Sequence, residues 1–191
     1  MKKIVAISCL LTTVAAAQAP ANDARSATKY VADPAASWLE FSGVQAGASF
    51  KGTFHKFTAN VDFSPEALAN SRIDVMIDMK SFDTNDAERD QTMLGADMLD
   101  VAHHPTAHYV TRRLIKTAGG YSAEGALTLR GITKDVPISF QFTFGPATAR
   151  LEGVDKVNRL DFGVGQGEWK STEWVGAEVK IAFLLVLKPQ R

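Results

Sequence analysis

The sequence contains almost no cysteine, since Cys9 is the only one among 191 residues. It lies in an apolar N-terminal stretch of the kind that is removed from exported proteins. Without Cys9, the mature chain cannot form a disulfide, a zinc–thiolate site or a haem attachment motif. Its stability must therefore come from a packed core alone.

A long hydrophobic run is also missing. Residues 4–14 form an apolar stretch that is shorter than the ~18 residues needed to span a bilayer. Lys2 and Lys3 precede this stretch and Ala15-Ala16-Ala17 follows it, which is the pattern of a signal peptide. We expect cleavage after Ala17, so that residues 1–17 are lost and the mature chain is exported and soluble. Lipidation of Cys9 is a weaker alternative, because the apolar segment before it is too short.

The chain has no excess of charge of one sign. Its 21 Lys and Arg residues balance its 21 Asp and Glu residues, and removal of Lys2 and Lys3 leaves a net charge of −2. Nucleic-acid binding requires a basic face, and anionic lipid surfaces attract clusters of Lys and Arg. The composition therefore argues against nucleic acid as a partner and against strong attraction to anionic lipid.

Apolar side chains at every second position dominate the rest of the sequence, and this alternation indicates strands with one buried face. The pattern is clearest over residues 136–144 and 73–79. Further strands are predicted over residues 39–41, 50–54, 61–63, 109–111, 123–129, 159–164 and 179–187. One helix is predicted over residues 87–99, with Asp86 as its N-cap.

About eight strands separated by turn residues predict a single all-β domain, either a sandwich or a barrel. It should occupy residues 29–191, after a disordered lead-in over residues 18–28. A closed antiparallel barrel of this size is either filled by side chains or holds one small ligand. The 11 phenylalanines would supply apolar walls. The alternation alone slightly favours a filled core.

A distinctive combination of side chains lies between residues 81 and 109. It consists of Ser81, Asp83, Thr84, Arg89, Asp90, Leu94, Asp97, Asp100, Pro105, Ala107 and Tyr109. Together with residues 30–34, 125–136 and 158–163, in this order, it resembles the YceI-like family. Two positions depart from the family pattern, because Ala36 replaces a frequent histidine and Asn85 replaces a frequent glycine.

This resemblance implies a lipocalin-like antiparallel barrel with a short helical cap. It also implies a periplasmic location and the binding of long isoprenoid lipids, including quinones. Relatives include dimers, and some are fused or adjacent to membrane cytochromes of the b561 type. A homodimer and a cytochrome b561-type partner are therefore candidates, and residues 165–174 resemble the subset associated with such cytochromes.

The inner faces of the predicted strands, together with one face of the helix, give the candidate ligand-binding residues. These are Leu39, Phe41, Phe50, Phe54, Phe63, Ile73, Val75, Ile77, Met93, Leu94, Met98, Leu127, Leu129, Phe140, Phe142 and Phe183. We predict a periplasmic carrier or reservoir that holds a quinone or polyprenyl lipid and is not an enzyme. The alternatives are a packed interaction module for a cytochrome b561-type partner and, less favoured, an enzyme that acts on such a lipid.

The sequence shows no convincing catalytic or metal site. His103, His104 and His108 cluster around Pro105 and could in principle bind a metal ion. Pro105, however, prevents the helix that would place His108 next to His104, so we expect solvated loop histidines. Asp83, Asn85 and Asp86 lack the spacing of a calcium loop and are expected to bond backbone amides instead. Residues 163–167 resemble part of a phosphate loop but lack the lysine and the helix that should follow.

Three further side chains have two interpretations each. Arg89 is expected to anchor the helical cap through a charge such as Asp100, and the alternative is contact with the polar head of a ligand at the cavity mouth. Trp169 and Trp174 are expected either in the core or at an open end of the barrel, where indole suits an apolar–water boundary.

Overall fold

The computed structural model describes residues 27–190, which form eleven β-strands and one α-helix. The predicted signal peptide and most of the predicted lead-in lie outside these residues, and β1 begins at Thr28. The strands are β1 (Thr28–Ala32), β2 (Trp38–Gln45), β3 (Ala48–Phe54), β4 (Phe57–Phe63), β5 (Arg72–Asp78), β6 (Phe82–Asp83), β7 (Thr106–Thr117), β8 (Gly120–Leu129), β9 (Ile132–Phe144), β10 (Ala149–Asn158) and β11 (Glu178–Pro189). Helix α1 is Ala87–Leu94, and single 3-10 turns occupy Leu68–Asn70, Arg159–Phe162 and Gly167–Lys170.

The strands form one antiparallel sheet that closes on itself. Eight strands follow each other around the barrel in the order β1, β4, β5, β7, β8, β9, β10 and β11, and β11 pairs back with β1. β2 and β3 extend the same wall, since β2 pairs with β11 and β3 pairs with β2. Closure leaves few unpaired strand edges. The predicted all-β, lipocalin-like barrel of about eight strands with a short helix is therefore confirmed.

β9 shows how the sequence builds this wall. Val136 and Phe140 are buried inside the barrel, whereas Pro137 and Gln141 on alternate positions are exposed. β9 pairs with β10 only from Gln141 to Phe144. A proline is compatible with the middle of this strand because β9 is locally an edge there.

β10 is a strand that the alternation did not predict. Its inward positions include Gly153 and Asp155, and its outward Val154 is 54% exposed, so the apolar side chains do not mark the inner face. Gly153 is needed because a Cβ at this position would clash with the backbone carbonyl oxygen of Ser139 and would lie 2.6 Å from the ring of Phe183. The strand predicted over residues 159–164 is wrong, because the 3-10 turn Arg159–Phe162 follows β10 instead.

The helix is shorter than predicted. Asp86 caps it as expected, accepting a hydrogen bond from the backbone N–H of Arg89 at 3.0 Å, but α1 ends at Leu94 and not at residue 99. Gly95 is extended, and the backbone N–H groups of Met98 and Asp100 then bond its carbonyl in a compact turn. Within residues 27–190, no helix is long and apolar enough to cross a membrane.

Aromatic rings fill one end of the barrel. Phe63 and Phe142 stack with their centroids 4.0 Å apart, and Tyr121 meets Phe63 edge-on at 5.0 Å. The ring centroids of Phe144 and Tyr30 lie 4.9 and 5.8 Å, respectively, from that of Phe142. We call these five residues the aromatic plug. Offset and edge-on ring pairs each contribute about 1 kcal/mol beyond their buried area, so the plug is a stable floor.

Candidate ligand-binding cavity

Above the aromatic plug, the barrel encloses a cavity of about 240 Å³. The inward faces of most strands form its walls, and Met93, Met98 and Leu99 from the helix and its following turn lie over it. Val75 and Leu127 point inward but are only half-buried. We attribute their remaining accessible surface to the cavity, since both line it. The barrel is therefore hollow at this level.

Most of the predicted ligand-binding side chains come together on this wall. Thirteen of the sixteen line the cavity, namely Leu39, Phe41, Phe50, Phe54, Ile73, Val75, Ile77, Met93, Met98, Leu127, Leu129, Phe140 and Phe183. Their contact with a ligand stays a prediction. Their convergence follows from the closed sheet, which turns the inner position of every strand toward one axis.

The other three predicted residues do not line the cavity. Phe63 and Phe142 point inward, as the alternation indicates, but belong to the aromatic plug. Leu94 is the last residue of α1 and packs against the core beside the cavity. Phe63 and Phe142 therefore close one end of the barrel, whereas Leu94 packs the end of the helix against the core.

Several lining residues were missed in the sequence. Ile138 and Ile181 lie two positions from predicted lining residues on the same strands, so the alternation contained the signal for both. Leu151 and Val157 lie on β10, and they were missed because that strand was not predicted. Val44 lines the cavity although it is 42% exposed, which places it where the cavity meets the surface.

Arg159 is a buried guanidinium beside the cavity, with only 3% of the residue exposed. Its nitrogens donate to the backbone carbonyls of Val164 (2.8 Å), Val175 (2.8 Å), Gly176 (3.0 Å) and, at 3.4 Å, Ser171. Burial lowers the pKa of this guanidinium. The buried positive charge is balanced by backbone carbonyl dipoles and not by a carboxylate. Because all four carbonyls belong to residues 164–176, these bonds hold that segment against the Arg159 side chain.

Arg89 joins the helix to the β2–β3 hairpin. Its Nε donates to Gln45 Oε1 at 2.8 Å, its Nη2 lies 3.1 Å from Asp86 Oδ2, and its guanidinium stacks 4.7 Å from the centroid of Phe50. The expected pairing with Asp100 is wrong, because Asp100 contacts His103 at 2.8 Å. Arg89 therefore anchors the cap, as its main interpretation held, and it also lines the cavity.

The other polar side chains on the wall are also bonded within the protein. The Tyr109 hydroxyl donates to the carbonyl of Ala123 at 2.8 Å, and burial raises the pKa of this phenol. Thr92 Oγ1 donates to the carbonyl of Glu88 at 2.9 Å. These groups fix the wall and leave its inner surface apolar.

The histidines lie outside the cavity. His103 contacts Asp100, and His108 Nε2 lies 2.8 Å from Asp74 Oδ1. Asp83 accepts a bond from the backbone N–H of Asn85, which agrees with the predicted turn. In residues 27–190, no three His, Cys, Asp or Glu side chains are close enough to hold a metal ion.

Both tryptophans of the segment after β10 lie at the cap end of the barrel. Trp169 lines the cavity and is half-buried, whereas Trp174 is 66% exposed. Between the two alternatives considered for these residues, the structure therefore favours the open end for Trp174. The glycines around residue 165 form turns, and Gly165 has a φ of 92° and lies against the Arg159 guanidinium.

A closed antiparallel barrel with an apolar cavity under a short helix defines a lipocalin-like protein. The chain belongs to the YceI-like family, since the model of the YceI-like domain matches residues 30–187. A UPF0312 protein from Vibrio cholerae is 32% identical over 151 residues, which cover 74% of this chain and 80% of that protein.

Solved structures agree with this assignment. BcnA from Burkholderia cenocepacia is 34% identical, with a TM-score of 0.77, and the match covers 81% of this chain and 98% of BcnA. A polyisoprenoid binding domain from Saccharophagus degradans, implicated in plant cell wall breakdown, has a TM-score of 0.66 at 14% identity. That match covers 86% of this chain and 99% of the domain, and it shows a shared fold.

Proposed function

We propose that this protein is a periplasmic carrier or reservoir for a long isoprenoid lipid, such as a quinone or a polyprenyl compound. The observation that carries the proposal is the apolar cavity above the aromatic plug, whose polar side chains are bonded to the protein itself. Apolar area removed from water contributes about 25 cal/mol per Å². An isoprenoid tail offers such area along its whole length.

The size of the cavity supports an apolar guest. At about 240 Å³, it exceeds the ~150 Å³ of an apolar cavity that admits benzene. A longer tail must displace wall residues or leave through the mouth. Met93 and Met98 lie on the wall, and unbranched thioethers change shape at low cost.

The family supports the same ligand class and a binding role without catalysis. The Saccharophagus degradans domain of the same fold is named for polyisoprenoid binding. We extend the isoprenoid ligand class from that domain to this chain. The predicted signal peptide of this chain supports the exported, periplasmic location. The packed interaction module is less well supported, because it requires a filled barrel. The cytochrome b561-type partner and the homodimer stay predictions.

The test compares loading of the cavity in two tryptophan variants. Leu127→Trp places an indole in the cavity, and Val154→Trp places the same residue on the outer wall, where Val154 is 54% exposed. Each purified protein is incubated with ubiquinone or with a polyprenol, and the bound lipid is extracted and measured by mass spectrometry. The unfolding midpoint of each variant checks its fold.

We expect loading of the wild type and of Val154→Trp, and binding at least about tenfold weaker for Leu127→Trp, equivalent to ~1.4 kcal/mol. Lipid that copurifies with the wild type would identify the natural ligand. Absence of copurifying isoprenoid together with no uptake of either added lipid would refute the carrier function. Equal loading of all three proteins would show that the lipid binds outside the cavity.

A further inference from the structure

Two chain segments meet at the mouth of the cavity. The backbone N–H of Ala46, at the β2–β3 turn, donates to the carbonyl of Trp174 at 2.7 Å, and that of Gly176 donates to Val44 at 2.9 Å. Gln45 and Val175 form a β-bridge between the same segments. We call residues 44–49 and 174–176 the mouth rim.

The mouth rim carries no charge, and its polar side chains are those of Gln45, which accepts a hydrogen bond from Arg89 Nε at 2.8 Å, and of the exposed Ser49. Val44 is 42% exposed and Trp174 is 66% exposed, and no charged side chain occurs from Val44 to Phe50. Ala46 and Gly47 have φ values of 50° and 77°, as in the two-residue turns that join hairpin strands tightly. The hairpin tip is therefore a short, uncharged projection beside an exposed indole.

Single exposed apolar residues are common on soluble proteins and need no explanation. The outer wall of this barrel carries such residues too, including Trp38, which is 38% exposed. The mouth rim differs because its apolar surface continues into the cavity. Val44, Val175 and Gly176 all line that cavity and give a lipid an apolar path into it, beside the bonded pair of Gln45 and Arg89, which also lines the cavity.

We propose that the mouth rim is the surface with which the protein docks on a lipid bilayer to exchange its cargo. The exchange rests on the proposed lipid cargo, whereas the docking itself can be measured without it. Indole side chains favour the boundary between lipid and water, and Trp174 presents one beside the opening. A ligand of low water solubility then moves between bilayer and cavity without entering water.

The charges around the rim favour a zwitterionic lipid surface. Glu168, Lys170 and Glu173 lie in the same segment as Trp174, and all three are exposed. A patch that gathered anionic lipid would need a cluster of Lys and Arg. Docking should therefore depend on apolar insertion and change little with salt.

The experiment uses the full mature chain and vesicles of phosphatidylcholine. Binding is measured by vesicle flotation for the wild type, Trp174→Ala and Trp38→Ala. Trp38 is a matched control because it lies six residues before Val44 on β2, roughly 20 Å along the strand. Trp174 is suitable because it is exposed and only its backbone carbonyl bonds Ala46, so alanine preserves that bond.

We expect wild type and Trp38→Ala to float with the vesicles, and Trp174→Ala to bind about tenfold less, because the indole supplies the inserted apolar area. Quinone uptake from detergent solution should be equal in all three proteins, since neither tryptophan that is replaced lines the cavity. Uptake from quinone-containing vesicles should slow only in Trp174→Ala.

Two results would overturn the docking proposal while leaving the carrier function intact. One is quinone uptake from detergent with no flotation of the wild type, which would point to a protein partner at the mouth. The other is flotation that requires the anionic lipid phosphatidylglycerol and is lost in about 0.5 M salt. At that salt concentration the Debye length is below about 5 Å, so such a loss would show that charge attraction, and not apolar insertion, holds the protein on the vesicle. Loss of quinone uptake in detergent would instead refute the carrier function, whatever the flotation result.

Discussion

Replacement of Arg159 by methionine should destabilise the protein more than any change at an exposed arginine. The guanidinium is 3% exposed and donates to four backbone carbonyls between Val164 and Gly176. Methionine fills part of the same volume but donates nothing. The carbonyls would then be left without donors, or the segment would open to water.

The magnitude follows from the hydrogen bonds. A bond that involves a charged group contributes roughly 1.5–3 kcal/mol, and a buried acceptor left unpaired costs about 1–3 kcal/mol. Opening of the segment limits the loss, because its carbonyls then bond water. Methionine also carries no charge, so the variant avoids the free-energy cost of burying a guanidinium, and this reduces the net loss of stability further. We expect the free energy of unfolding to fall by about 3 kcal/mol.

Urea denaturation followed by circular dichroism measures this change. Arg150→Met is the control, since Arg150 is exposed on β10 and should change stability by at most about 0.5 kcal/mol. Hydrogen exchange should show faster exchange of the amides of Gly165 and Gly176 in Arg159→Met. A variant as stable as Arg150→Met, with unchanged exchange, would refute the role assigned to the hydrogen bonds between Arg159 and these four backbone carbonyls.

Two further predictions concern β10. Gly153→Ala should lower stability by about 2 kcal/mol, because overpacking costs roughly 1–3 kcal/mol. The added Cβ would clash first with the backbone carbonyl oxygen of Ser139 and would also lie 2.6 Å from the Phe183 ring. An unchanged melting temperature would contradict this. Burial raises the pKa of Asp155, whose carboxylate accepts a bond from the backbone N–H of Ser139 at 2.8 Å. A raised pKa means that the folded state favours the protonated acid, so ionisation costs stability as pH rises from the unfolded value of 3.8 through the folded value. Asp155→Asn keeps an acceptor for Ser139 and should therefore gain stability relative to wild type at pH 7 but not at pH 3, measured by urea denaturation at both values; an equal difference at both pH values would show that the carboxyl is not destabilised by burial.

The alternation of apolar residues was sufficient to predict which side chains point inward on β5, β8 and β9. It could not predict how far along the barrel axis each one lies. Phe140 and Phe142 both point inward on β9, yet Phe140 lines the cavity and Phe142 lies in the aromatic plug. Height in the barrel depends on strand stagger, which is a property of all the strands together.

The missed features have local physical causes. β10 escaped prediction because Gly153 and Asp155 face inward and Val154 faces outward, which reverses the usual signal. Arg159 belonged to a segment that resembled the family, but its burial depends on carbonyls that the amino-acid pattern does not reveal. α1 ends early because the chain turns after Gly95, where the backbone N–H groups of Met98 and Asp100 donate to the Gly95 carbonyl.

The two ends of the barrel impose a direction on the proposed ligand. The aromatic plug fills one end, with Phe63 only 1% exposed, while Val44 connects the cavity to the surface at the other. The polar atoms of Tyr109 and Arg159 already form hydrogen bonds with backbone carbonyls of the protein. They are therefore not free to bind the polar head group of a ligand inside the barrel. An unsatisfied head group would lose free energy there, whereas at the mouth it stays in contact with water. The proposed ligand should therefore enter tail first, and selection should act on the tail more than on the head group.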